Sequence, residues 1–196
     1  MEGDRITMCR RLVLVSICIL ALASLACAAS EPPPWFTPLF NGKDLTGWKH
    51  DAEVAKHWKV VDGVLTYDGK GSNLVTEKNY RNFILMVDWK IPKGGDSGIY
   101  LRGKPQVQIW DDPIGSGGLY NDNNQPTKNM DRPVGEWNHF VIIMRGKKVT
   151  VVENGLQVVD RVTMNSIGGM PDEGPIELQH HGSQLWFRNI YIRELP

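Results

Sequence analysis

From Pro32 onward, apolar and polar residues alternate over short runs that are separated by Gly, Asn, Asp and Pro, and no segment carries a sustained helical period. Two stretches are the clearest. Trp58–Val61 and Val64–Tyr67 flank Asp62-Gly63, and residues 149–153 and 156–159 flank Asn154-Gly155. Both pairs predict type I′ hairpins, because Asp, Asn and Gly take the positive φ that such a turn demands at low cost. Further strands are predicted at 83–91, 97–102, 107–110, 138–144 and 186–193. Many short strands with frequent turns argue for an all-β sandwich or barrel.

Alternation also sorts side chains by face. Leu85, Val87 and Trp89 oppose Met86, Asp88 and Lys90; Ile99 and Leu101 oppose Tyr100 and Arg102; Val107 and Ile109 oppose Gln106, Gln108 and Trp110. Segments 174–182 and 185–192 read as a final strand pair, with Ile176 and Leu178 on one side and Glu177, Gln179 and His181 on the other. Successive side chains leave opposite faces of the pleat, so a polar row faces away from the core. Its Gln, His, Arg, Tyr and Trp side chains suit the gripping of hydroxyls and stacking on sugar rings. The alternative is a set of ordinary solvated faces. Residues 111–134 break the rhythm with a long run rich in Asn, Asp and Gly, and loops of that length commonly carry function.

The first 30 residues read differently. Arg10-Arg11 precede an apolar run from Leu12 to Ala26, as in a signal peptide. Ala26-Cys27-Ala28 fits ordinary cleavage, while Ser24-Leu25-Ala26-Cys27 is an imperfect lipoprotein box that would anchor Cys27 through lipid. The reading is of an exported protein: periplasmic, extracellular or a cell-envelope lipoprotein. Residues 31–196 form one domain. Cys9, Cys18 and Cys27 all fall before it, so disulfides, cysteine nucleophiles and thiolate metal sites are excluded there. Cleavage after Ala26 takes Arg5, Arg10 and Arg11 from 22 basic residues and Glu2 and Asp4 from 22 acidic ones, for a net charge of about −1. That balance gives no basic surface for nucleic acid.

Four separated motifs carry a resemblance. Phe40-Asn41-Gly42-Lys43-Asp44-Leu45-Thr46-Gly47-Trp48, Asp96-Ser97-Gly98-Ile99-Tyr100-Leu101-Arg102-Gly103, Gly135-Glu136-Trp137-Asn138 and the 174–192 block resemble the 3-keto-disaccharide hydrolase domain family, from about Trp35 to Leu195. The resemblance implies a concanavalin A-like jelly-roll β-sandwich of two antiparallel sheets. It also implies cleavage of the glycosidic bond of sugars oxidised at C3, as hydrolase or as elimination-type lyase. An acidic residue commonly occupies position 180 in this family; here it is His180, which leaves any carboxylate role beside His181 without its bearer.

In that frame His181 is the candidate base, since imidazole ordinarily titrates near neutrality. Asp111, at the end of a strand, and Arg188 are the other catalytic candidates, for a proton source and for an enediolate-stabilising charge; Arg102 or a metal could supply that charge instead. Tyr100, Arg102, Gln108, Trp110, Tyr120 and Gln179 are candidates for holding the saccharide. For His181 the plain alternative is a backbone-bonded structural histidine, and for Arg188 an arginine that pins the sandwich. No Glu-x-Asp-x-x-Glu triplet occurs, which disfavours ordinary two-carboxylate hydrolysis. A divalent metal ion is an open option: His181 and Asp111, with His50 or His57, offer ligands, and residues 121–124 offer oxygens for calcium, but no recognised ligand spacing is met. A non-catalytic carbohydrate-binding or envelope adhesion domain is the rival to an enzyme, and a structural envelope module is a third reading. Oligomeric state leaves no mark on the sequence.

Overall fold

Along β6 (Phe83–Lys90), Phe83, Leu85, Val87 and Trp89 are buried while Ile84, Met86, Asp88 and Lys90 stay partly exposed. The computed structural model describes residues 31–120, 124–163 and 170–196. The expected leader with Cys27, and all but Asn124 of the run considered for calcium, lie outside them.

Among the described residues the strands form two antiparallel sheets. One runs in the order β11 (Leu156–Thr163), β10 (Lys148–Glu153), β9 (Asn138–Arg145), β6, β13 (Leu185–Glu194), β4 (Val64–Tyr67) and β3 (Trp58–Val61), with β1 (Thr37–Pro38) added along β13. The other runs β2 (Trp48–Lys49), β5 (Leu74–Thr76), β12 (Ile176–Leu178), β7 (Asp96–Leu101) and β8 (Gln106–Trp110). A single helical turn, α1 (Val54–His57), leads into β3. This is the expected all-β sandwich.

Each sheet turns one parity of side chains inward. Leu85, Val87, Phe140, Ile142 and Phe187 from the first meet Leu74, Ile99, Leu101, Val107, Ile109, Ile176 and Leu178 from the second in one cluster of buried residues. Trp58 stacks on Tyr67 at 4.4 Å between ring centroids, and Trp89 tilts against Phe140 at 5.2 Å. With no cysteine after Cys27, the domain relies on this core, each large buried side chain contributing roughly 1.5–3 kcal/mol.

Both predicted hairpins form: Asp62 and Gly63 have φ of 50° and 77°, and Asn154 and Gly155 of 47° and 89°. The final strand pair does not. β12 pairs with β5 and β7, whereas β13 pairs with β1, β4 and β6, so the chain changes sheets at Ser183-Gln184. Alternation assigns faces within a strand but says nothing of which sheet the strand joins. The long 111–134 segment, for its part, folds back along β8: Gln108 N donates to Gly118 O and Gly117 N to Gln108 O, each at 2.9 Å. It thereby covers an edge that would otherwise be open for pairing.

Candidate active site

The outer face of the five-stranded sheet carries a continuous hydrogen-bonded chain of side chains. Registers Gly98↔Gln108 and Tyr100↔Gln106 between β7 and β8, and Glu177↔Tyr100 between β12 and β7, set Asp96, Gly98, Tyr100, Gln106, Gln108 and Glu177 on one face. Gln179 continues β12, its N–H donating to Gly98 O at 2.9 Å. Gln106 Nε2 donates to Gln179 Oε1 at 2.8 Å, to Gln108 Oε1 at 3.0 Å and to Ser97 O at 3.3 Å. Gln108 Nε2 donates in turn to Asp96 Oδ1 at 2.8 Å, and Gln179 Nε2 to the Tyr100 hydroxyl at 3.2 Å. Asp96 Oδ2 lies 3.4 Å from His181 Nδ1.

Gly98 makes this possible. A Cβ there would sit 2.2 Å from Gln106 Nε2, so only a bare Cα lets the Gln106 amide cross β7 from β8 to reach Gln179. Gln106 and Gln108 are buried, and a buried carboxamide must find partners; here they are each other, Asp96 and Gln179. The chain therefore acts as a fixed polar floor, above which Tyr100, Gln179 and the exposed His181 meet solvent. Burial holds the Tyr100 hydroxyl above its ordinary pKa, and the nearby Glu177 carboxylate adds to this, so it stays a hydrogen-bond donor across the neutral range. Glu177 itself is fixed by Asn73, whose Nδ2 donates to Oε2 at 3.0 Å.

The structure thus gathers Tyr100, Gln108, Gln179 and His181 of the sequence candidates. Trp110 extends the same face at the end of β8, its indole N–H held by Gly115 O at 2.7 Å, and the exposed Tyr120 shares a hollow with Gln108 and Trp110. Three candidates lie elsewhere. Arg102 is buried: β7 ends at Leu101, the next residue turns to φ 57°, and its guanidinium donates to the backbone carbonyls of Asp172 at 2.7 Å and Gly146 at 2.5 Å. It is a structural pin, a role the sequence reading raises for Arg188 and not for Arg102. Arg188 belongs to β13 in the other sheet, where it pairs with Asp88 at 3.3 Å and lies 4.1 Å over the Trp137 ring. Asp111 has the opposite parity from Trp110; its Oδ2 accepts from Gly94 N at 2.8 Å, and with Asp131 and Glu136 it lines a second hollow that Trp110 also borders.

The metal ligands considered do not converge. His50 Nδ1 is bonded to Trp48 O at 2.7 Å and His57 Nδ1 to Asp68 at 3.0 Å, and among the described residues no three His, Cys, Asp or Glu side chains gather to hold an ion. His180 turns to the neighbouring edge, with its Nδ1 2.7 Å from Asn73 Oδ1. Asp96 is a carboxylate of this face that the sequence reading leaves out, and Glu177, placed on the polar row, is not among its site candidates. Their shared parity with Tyr100 and Gln179 was the available signal.

Comparison with known proteins agrees with this architecture. A 3-keto-disaccharide hydrolase of Bacteroides thetaiotaomicron is 25% identical, over 82% of this chain and 78% of its own length. Two crystal structures of provisionally named glycosyl hydrolases from Parabacteroides distasonis superpose with TM-scores of 0.71 and 0.70, at 28% and 32% identity, covering 82% and 83% of this chain and 94% and 85% of theirs. A GH16 endo-β-1,3(4)-glucanase, 12% identical with a TM-score of 0.53 over 83% of this chain and 93% of its own, shares the jelly-roll fold alone. Residues 35–193 match the 3-keto-alpha-glucoside-1,2-lyase-like domain, and the chain belongs to that family.

Proposed function

We propose that this protein cleaves the glycosidic bond of 3-keto-glycosides by elimination across C1 and C2, with His181 as the base. The observation that carries this reading is the Asp96–His181 contact at the end of the fixed polar floor. Asp96 facing Nδ1 favours the tautomer with its proton on Nδ1, which leaves Nε2 as the basic nitrogen. A keto group at C3 acidifies the C2 hydrogen. His181 Nε2 takes that proton; the electron pair passes into the C2–C3 bond and onto the C3 oxygen as an enediolate. Collapse of the enediolate forms the C1–C2 double bond and breaks the C1–O bond, and the imidazolium returns its proton to the departing oxygen. Water then adds to the double bond to complete net hydrolysis. The Tyr100 hydroxyl, already accepting from Gln179, is the donor placed to stabilise the C3 oxygen as charge develops.

Two-carboxylate hydrolysis fits this face less well. Glu177 opposes Tyr100, and Asp96 lies four residues before Tyr100 on β7. Both carboxylates are already engaged, Glu177 by Asn73 and Asp96 by Gln108 and His181.

The test is incubation of the purified protein with a 3-keto-glucoside and its unoxidised parent, with and without chelator, in wild type and His181→Ala. Release from the keto substrate alone, lost in the folded variant, is the expected result. Saturable sugar binding without turnover would instead make this a carbohydrate-binding domain, and chelator-sensitive turnover would show that a divalent ion takes part. The leader pattern around Arg10-Arg11 supports action outside the cytoplasm, by export or through a lipidated Cys27. Cell fractionation with and without residues 1–26 checks this.

A further inference from the structure

The polar floor is not uniform to its edge. At β8 it gives way to a hollow of about 120 Å³ whose apolar lining is Trp110, Ile114, Leu119, Tyr120 and Pro126, and whose polar side chains are Gln108, on the floor side, with Asn124 and Gln125. Ile114 and Tyr120 are 38% and 62% exposed, in a protein whose other large apolar side chains are mostly buried. The backbone closes the rear: Leu119 N donates to Asn124 O at 2.7 Å and Asn124 N to Leu119 O at 3.3 Å.

Resting on the reading above, we infer that this hollow receives an apolar, ring-sized aglycone, so that the substrate class is 3-keto-glycosides of aromatic or alicyclic alcohols rather than of a second sugar. Size and chemistry both point there. A cavity of roughly 150 Å³ lined by aliphatic and aromatic groups holds one benzene ring, and this hollow is slightly smaller. A second hexose would bring hydroxyls to a wall made mostly of Ile, Leu, Pro and aromatic faces, with Asn124 and Gln125 beside them. Two of the neighbouring polar groups are already engaged, the Gln108 carboxamide by Asp96 and Gln106 and the Trp110 indole N–H by Gly115 O, so few partners remain for those hydroxyls. Each hydroxyl desolvated without a partner costs about 1–3 kcal/mol. Gln108 and Trp110 belong to both the floor and the hollow, so one ligand can span them, sugar over Tyr100 and Gln179 and ring on the apolar wall.

The experiment measures binding and turnover separately. Affinity of the His181→Ala protein is determined by calorimetry for 3-keto-glucosides of both anomers bearing phenyl or glucosyl aglycones. The phenyl compound is expected to bind about tenfold or more tightly. Ile114→Asp in the same background should erase that preference, and Tyr120→Ala should narrow it, while glucosyl binding is unchanged. Equal or tighter binding of the glucosyl compound, failure of both to bind, or Ile114→Asp weakening both alike would overturn the inference. Turnover by the wild type reports on the elimination reading alone: a protein that cleaves neither compound yet keeps the phenyl preference fails as the proposed enzyme and retains its apolar aglycone site.

Discussion

Gln106 reaches Gln179 at 2.8 Å by passing over the unsubstituted Cα of Gly98, joining β8 to the end of β12 across β7. This contact makes three strands share one rigid polar surface. Gly98→Ala would place a methyl 2.2 Å from the Gln106 amide nitrogen. Expelling that amide leaves buried polar groups unpaired at a cost of about 1–3 kcal/mol. A lowered melting temperature together with at least tenfold weaker sugar binding is therefore expected; a variant that matches wild type in both would show that the chain does not depend on the glycine.

In the proposed mechanism Asp96 acts through His181, as a positioning residue. Asp96→Asn keeps the shape and still allows a bond to Gln108, but it removes the charge that faces Nδ1. Turnover of the keto substrate should fall by about 10²-fold or more, approaching the loss in His181→Ala, since general acid–base groups contribute roughly 10²–10⁴-fold. KM should change little. A rate loss accompanied by an equal fall in melting temperature would mark a structural role instead.

On the opposite sheet, Asp88 collects His139 at 2.7 Å, Arg188 at 3.3 Å and Asn189 at 2.8 Å. Burial opposes its ionisation, yet the bonds from His139 and Asn189 and the Arg188 charge outweigh burial and hold its pKa below the usual value. A depressed carboxylate contributes stability above its unfolded pKa, and that contribution is lost as pH falls through the folded one. Asp88→Asn should lower stability by about 1–3 kcal/mol at neutral pH and flatten the acid limb of the melting curve below pH ~4. Turnover should stay at the wild-type level, because this cluster lies across the sandwich from His181.

The ease of reading the fold and the difficulty of reading the site have one cause. Asp62-Gly63 and Asn154-Gly155 announce their turns because few residues tolerate those φ values, and Tyr100, Gln108 and Gln179 announce their face because strand parity is strict over a few residues. Parity fails where a strand ends: Arg102 follows Leu101 into a left-handed turn and is swung into the protein, and Asp111 follows Trp110 out of β8. It also cannot tell one sheet from another, so Arg188, a few residues after His181, lies across the sandwich from it. Asp96 shares parity with Tyr100, but its meeting with His181 depends on the Leu178↔Ile99 register, which only the folded chain reveals.

Glu153 supplies a test of the scaffold beneath the long loop. It ends β10 on the inward parity, opposite the buried Phe140, and is fully buried with neither carboxyl oxygen hydrogen-bonded. Burial first, and then the nearby Asp131 carboxylate, push its pKa up to about 9 from 4.5. Between those values the folded chain keeps a proton that the unfolded chain has released, so stability is fully present below pH 4.5 and declines as pH rises toward 9. Glu153→Gln replaces the neutral acid with an uncharged group of the same shape. It should melt with wild type near pH 4.5 and then pull ahead, by on the order of 3 kcal/mol between pH 5 and pH 7 at ~1.4 kcal/mol per unit. Melting curves of the two proteins that stay parallel across that range would show that Glu153 ionises freely and that the loop above it, held by Asp131 through Ser116, opens to let water in.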